Sequence, residues 1–260
     1  MTSFSTLCHE VVKEYVQTVM IIDDCAGLNK ESAPIVIPDT PLTSNPLIAS
    51  YVQATSPENI TAPNPSEISH QLDTLSLTNA FFDEGIVAGI YQPKIKSSQQ
   101  PEEFASKAKF ACEKADIIIL DWILKDRNSD YSKAIVREIL QSDYEGGGRI
   151  RAIMIYTGES DLNSLRDELF DYLSDYELNR DVNIEIRAKN LIISFYNKNH
   201  ESYAFSPDRA VKEADVPEKA LNAFAILVHG LTPTFAMKSA AAIRKNTGRI
   251  ISRFDNKLDN

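Results

Sequence analysis

The chain is poor in the residue types that announce the commonest chemistries. Only three cysteines, Cys8, Cys25 and Cys112, occur in 260 residues, and none forms a CxxC pair. That excludes a disulfide framework and a zinc site of ordinary spacing, and it suits a reducing cytoplasm. The four histidines, His9, His70, His200 and His229, form no motif, so none is assigned as a phosphodonor or a metal ligand. Positive charge is short as well. A formal net charge of −10 leaves no overall field to draw phosphates, which excludes a general nucleic-acid binder. No apolar run approaches the roughly 20 residues that a membrane span requires. Nor does the start, MTSFSTLCHEVVKEY, show a basic region followed by an apolar one, so no signal peptide is visible. The expectation is a cytoplasmic protein with neither membrane nor nucleic acid as partner.

One stretch lacks structure-forming residues altogether. Lys and Arg are absent from Glu31 to Pro93, and 7 of the 12 prolines lie between Pro34 and Pro65 among Ser, Thr and Asn. Proline removes backbone donors, and such a composition buries little apolar surface. A long loop or partly disordered insertion is therefore expected at about 29–75. Two readings stand for it, a tolerated surface insertion and a lid over the acidic residues it adjoins.

What is present is an ordinary core composition, 43% apolar and 25% charged, arranged in an alternating pattern. The segment ADIIILDWILK carries four aliphatic residues, Ile117 to Leu120, running into Asp121. A short continuous apolar run of this kind predicts a strand buried on both faces of a parallel sheet. Thr18 to Asp24 has the same shape and ends in two acids, Asp23 and Asp24. Ile86 to Tyr91, Ile150 to Tyr156, Val182 to Arg187 and Leu191 to Tyr196 also read as extended. Helices are expected from Ser5, Leu77, Pro101, Ser129 or Asp130, and Ser160 or Asp161, and two more from Glu218 and Thr232-Pro233. In the last of these, Phe235, Ser239, Ile243, Ile250, Phe254 and Leu258 share a side, and no acid occurs from Met237 to Phe254. That basic end reads either as a solvated face or as a docking surface for an acidic partner or another subunit. Alternating β and α elements predict an α/β fold with a doubly wound parallel sheet.

Parallel neighbours would bring Asp23, Asp24 and Asp121 together where the strands end, the edge at which open α/β sheets do chemistry. Three clustered carboxylates repel one another, and a hard divalent cation offsets that. Mg2+ prefers such oxygen ligands and commonly uses one or two carboxylates with phosphate oxygens. One carboxylate is then free to act as a nucleophile toward phosphorus. A lysine and a hydroxyl at the same edge would hold the transferred oxygens.

In this order the segments MIIDD, IIILDW, AIMIYTG and LIISFYNK resemble the first, third, fourth and fifth strands of a receiver domain of two-component response regulators. The resemblance implies a five-stranded flavodoxin-like sheet of order 2-1-3-4-5 and Mg2+ as cofactor. It places the phosphoacceptor on Asp121 and the phosphate-sensing hydroxyl on Thr157. Lys198 becomes the phosphate-contacting lysine, with Lys189 as the fallback. The metal ligands become Asp23, Asp24, Asp121 and the backbone carbonyl of Ile123. Phe195 takes the place of the aromatic that turns inward on activation. Implied partners are a histidine kinase or phosphotransfer protein as donor, an output domain or partner protein reached through the C-terminal helices, and a homodimer. Divergent receivers of this kind occur in bacterial signalling and phage-defence proteins.

The chain also departs from the pattern. Asp24 and Asp121 are 97 positions apart, about twice the family's usual separation, and Asn199 stands where a proline normally follows the lysine. Lys125 occupies another position where proline is frequent. The domain reading is a receiver-like unit over 1–200 and a helical extension over 201–260 that leads toward an output region. A pseudo-receiver, which keeps the fold without phosphorylation, is the alternative. A haloacid-dehalogenase-type phosphohydrolase wants a second aspartate two residues after the first, and Ile123 stands there.

Overall fold

A computed structural model describes residues 4–27, 72–198 and 207–254. The chain begins with α1 (Phe4–Tyr15), β1 (Thr18–Ile22), β2 (Ala26–Gly27), β3 (Leu72–Asp73) and α2 (Thr74–Asp83). β4 (Val87–Tyr91), α3 (Pro101–Cys112), β5 (Ile117–Leu120), α4 (Asp130–Glu145), β6 (Arg151–Thr157) and α5 (Leu162–Tyr172) follow. The remainder is β7 (Asn179–Asp181), β8 (Glu185–Ala188), β9 (Leu191–Lys198), β10 (Ala210–Val211), α6 (Val216–Leu227) and α7 (Leu231–Ile251).

Local chemistry sets the boundaries. Asp73 caps α2, its Oδ1 accepting from the Leu75 and Ser76 amides at 3.1 Å each, which satisfies donors that the first helical turn leaves orphaned. The helix stops at Gly85, whose φ of 72° is open to glycine at no steric cost. Pro101 opens α3, where its missing N–H would have had no partner. Of the two candidate caps for α5, Asp161 is the one used, accepting from Ser164 N at 3.1 Å.

Five strands pair in parallel in the order β4-β1-β5-β6-β9. Numbered among themselves they run 2-1-3-4-5, the flavodoxin-like order expected. The sheet is wider than those five strands, however, and holds eight. β8 pairs antiparallel with β9, β7 pairs antiparallel with β8, and β10 adds in parallel to Asn197 and Lys198 at the end of β9.

The single extended run expected over Val182 to Arg187 is broken. β7 ends at Asp181, Ile184 takes a left-handed φ of 54°, and β8 starts at Glu185. Val182 and Ile184 look like strand residues by type, but they form a hairpin turn in which Val182 is 92% exposed.

Side-chain alternation explains the layers. Ile117 and Ile119 face α1, α2, α6 and α7, whereas Ile118 and Leu120 face α3, α4 and α5. All four are buried, and each contributes roughly 2 kcal/mol by leaving water. The first layer includes Val12, Phe81, Leu221, Phe224 and Met237, so α6 and α7 share one core with the strands.

At the lower edge, Asp116 is buried and accepts both guanidinium nitrogens of Arg244 on α7, at 2.9 and 3.1 Å. Among the described residues no single helix is long and apolar enough to cross a membrane. The Pro-rich stretch Pro34 to Pro65 lies outside the described residues, as do Asn199, His200 and Leu258. On either side of the residues left undescribed, Ala26 and Gly27, shortly after Asp24, pair in parallel with Leu72 and Asp73.

Candidate functional site

The site forms because three neighbouring parallel strands stop at the same level. Ile22 lies opposite Leu120, so the next residues, Asp23 and Asp121, emerge side by side. The ladder continues through them: Asp121 N–H donates to Ile22 O at 2.9 Å, and Asp23 N–H to Tyr91 O at 3.2 Å. Asp23 Oδ1 then accepts Cys25 N–H at 2.9 Å, a side-chain turn that bends the chain away from the sheet. Gln92 Nε2 holds the Asp24 carbonyl at 2.8 Å.

As a result one carboxylate oxygen from each of Asp23, Asp24 and Asp121 lies within 4.8 Å of the others. Asp23 and Asp121 are buried, and Asp24 is half-buried. Lys198, fully buried at the end of β9, bridges two of them, with Nζ 2.8 Å from Asp23 Oδ2 and 2.5 Å from Asp121 Oδ2. Lys189 sits at the opposite end of β9, in the turn from β8. The lysine brought to the carboxylates is therefore Lys198.

The electrostatics follow from burial. Loss of solvent pushes Asp23 up to about 7, with Lys198 pulling it down and Asp121 repelling it upward. Burial raises Asp24 as well, helped by the charge of Asp121. For Lys198 burial works against the charged form, but the two carboxylates outweigh it and its affinity for the proton increases. Cys25 stands beside the acids, and burial pushes its thiol up to about 12, which makes it a poor nucleophile.

Three carboxylates and one ammonium leave an excess of negative charge in a water-poor corner. The donors are all hard oxygens, so a divalent cation such as Mg2+ fits the set.

Thr157 is buried where β6 ends, one strand from Asp121. Its Oγ1 accepts Glu159 N–H at 3.3 Å, a bond that leaves its own O–H free to donate elsewhere. Ile123 is half-buried, and its N–H reaches Asp121 Oδ1 at 3.4 Å. Trp122, the residue after Asp121, is buried in the α3–α4–α5 core.

Phe195 is completely buried on the α3–α4–α5 side of the sheet, in the inward position, and β8 pairs alongside its strand through Glu185 with Ser194 and Ile186 with Ile193.

Two supporting residues escaped the sequence reading. Ser132 Oγ donates to the Asp121 carbonyl at 2.7 Å, tying the loop after β5 to the first turn of α4. Asn197 Nδ2 donates to the carbonyls of Thr157, at 3.4 Å, and Glu159, so β9 holds the loop that carries Thr157. The only signal for Asn197 was its place beside Lys198, and Ser132 gave none.

A comparison with family models matches the response receiver domain over residues 15–203. Curated proteins and solved structures yield no match to the chain.

Proposed function

The chain belongs to the response receiver domain family, and from that premise we propose that it is a signalling module phosphorylated on Asp121 in the presence of Mg2+. The observation that carries this reading is the clustering of Asp23, Asp24 and Asp121 within 4.8 Å with Lys198 on Asp121. In it, Asp23, Asp24, Asp121 and the Ile123 carbonyl hold the cation. When bound, the cation neutralises charge on the phosphoryl oxygens and on the carboxylates.

An Asp121 carboxylate oxygen attacks the phosphorus of the donor. The P–N bond of a phosphohistidine, or the P–O bond of a small acyl phosphate, breaks, and its electron pair leaves with the donor. The product carries about −1.5 to −2 charges and three strong acceptors, if it resembles other phosphorylated side chains. Lys198 shifts from the carboxylate to a phosphoryl oxygen, and Thr157 donates its hydroxyl to another. The donor is a histidine kinase or phosphotransfer protein, and the signal passes to a partner or output region through the C-terminal helices. Beyond its own phosphorylation and dephosphorylation the module is no enzyme.

Lys198 also fits a route to those helices. It pairs in register with Val211 of β10, whose carbonyl accepts the buried Tyr156 hydroxyl at 2.7 Å, and β10 leads into α6.

A second reading is a pseudo-receiver that binds partners without phosphorylation. Incubation with a small phosphodonor, with and without Mg2+, followed by intact-mass measurement, separates the two. Gain of one phosphoryl mass only with Mg2+ supports the first, and a folded protein that gains none supports the second.

A further inference from the structure

Large exposed apolar side chains gather on α7 and just past its end. Leu231, Phe235, Ile243, Ile250 and Phe254 are exposed by 79, 73, 65, 51 and 74%. Spaced four, eight, seven and four residues apart, they fall on one side of the helix. The side used for packing is a different one, formed by Thr234, Met237 and Ala241. The exposed stripe is therefore an unused face and not an incompletely buried one.

Charge divides this face into two ends. Lys238 is paired with Glu14 at 2.6 Å and Arg244 with Asp116. The distal cations Lys245, Arg249 and Arg253 have no ion pair among the described residues, and no acid occurs from Met237 to Phe254. The proximal half lies beside α1, where Cys8 Sγ meets Thr234 Oγ1 at 3.2 Å. There α1 adds the exposed carboxylates Glu10 and Glu14. One end of the stripe is thus apolar and basic, the other apolar and acid-flanked.

We propose that a second copy of this chain covers α7 in an antiparallel, two-fold arrangement centred near Ile243. Ile250 and Phe254 of one copy then meet Phe235 and Leu231 of its twin, and Lys245 and Arg249 meet Glu10 and Glu14. This is the self-complementarity that a two-fold contact requires. Parallel pairing would set unpaired cations against one another, which is costly. With the five cations of Met237 to Phe254 set aside, the rest of the chain carries −15, which repels an anionic lipid surface.

Sedimentation equilibrium on the full chain, from low to high micromolar protein and at low and high salt, tests the pairing. The expected result is a dimer that salt loosens. Ile250→Asp weakens it by about tenfold or more, because a charge enters an apolar contact. Arg249→Glu weakens it also, and the double variant Arg249→Glu with Glu10→Arg recovers affinity. All three positions are exposed, and circular dichroism verifies that each variant is folded. If Ile250→Asp fails to fold, the charge-swap pair decides alone. Wild type that stays monomeric at high micromolar concentration overturns the proposal, as does a dimer that neither Ile250→Asp nor Arg249→Glu weakens. Monomeric wild type that binds phosphatidylserine vesicles overturns it in favour of a lipid surface.

Discussion

Replacing Lys198 by Met keeps the side-chain volume and removes the one positive charge that Asp23 and Asp121 share. The ammonium is fully buried and lies 2.8 and 2.5 Å from their carboxylates. Removing one partner of such a buried set costs about 3–5 kcal/mol, because the remaining charges lose their compensation. Protonation limits the loss. Asp23 already titrates at about 7 with the lysine present, and without it the carboxyl goes higher still. At pH 6 Asp23 is neutral in both proteins and this group adds little to the difference, whereas above about pH 7 each pH unit up to the variant's higher pKa adds about 1.4 kcal/mol.

The destabilisation should therefore be large at pH 8 and smaller at pH 6. For a chain of this size 1 kcal/mol corresponds to about 2–4 °C, so the melting temperature at pH 8 should fall by roughly 6–20 °C. Mg2+ should restore much of it by supplying positive charge to the same oxygens. Thermal unfolding followed by circular dichroism at both pH values, with and without Mg2+, reads all of this. Equal loss at pH 6 and pH 8, with no rescue by Mg2+, would refute the reasoning.

Three further outcomes are expected. Mg2+ affinity should strengthen as pH rises through about 7, because the cation displaces the proton that burial keeps on Asp23. Trp122 fluorescence titrations at pH 6 and 8 check this, and Asp24→Ala should give a flat curve. Replacing residues 28–71 by a short Gly/Ser linker should leave the fold intact, since Ala26 and Gly27 already pair with Leu72 and Asp73 and loop closure changes by only about 0.6 kcal/mol per doubling of length. A large fall in melting temperature would contradict that. Arg244→Ala should destabilise by about 2–4 kcal/mol in urea unfolding, because buried Asp116 keeps only the Gln17 and Thr18 donors and a more distant Arg149 at 3.6 Å; an unchanged midpoint would show that α7 is held by its apolar contacts alone.

The parallel sheet was legible because its central strands are buried on both faces, so Ile117 to Leu120 and Ile150 to Tyr156 read as unbroken apolar runs. The acids were legible for a related reason: a charge directly after such a run has nowhere to go but the strand end. Edge elements were not. β10 is two residues long, and the β7–β8 hairpin turns at Val182 to Ile184, whose types mimic a strand. Supporting contacts were hidden for a different reason. Ser132 and Asn197 act on backbone carbonyls of distant segments, and only the fold brings those within reach. The place of Phe195, three residues before Lys198, says nothing of β8, which pairs alongside its strand.

The central claim is that Asp121 accepts the phosphoryl group. Treating the phosphodonor-incubated protein with borohydride reduces an acyl phosphate to an alcohol, and peptide mass mapping then locates the change. The account predicts homoserine at position 121 in wild type prepared with Mg2+, and none in Asp121→Asn. Homoserine at position 23 or 24, or a modification that persists unchanged in Asp121→Asn, would contradict it.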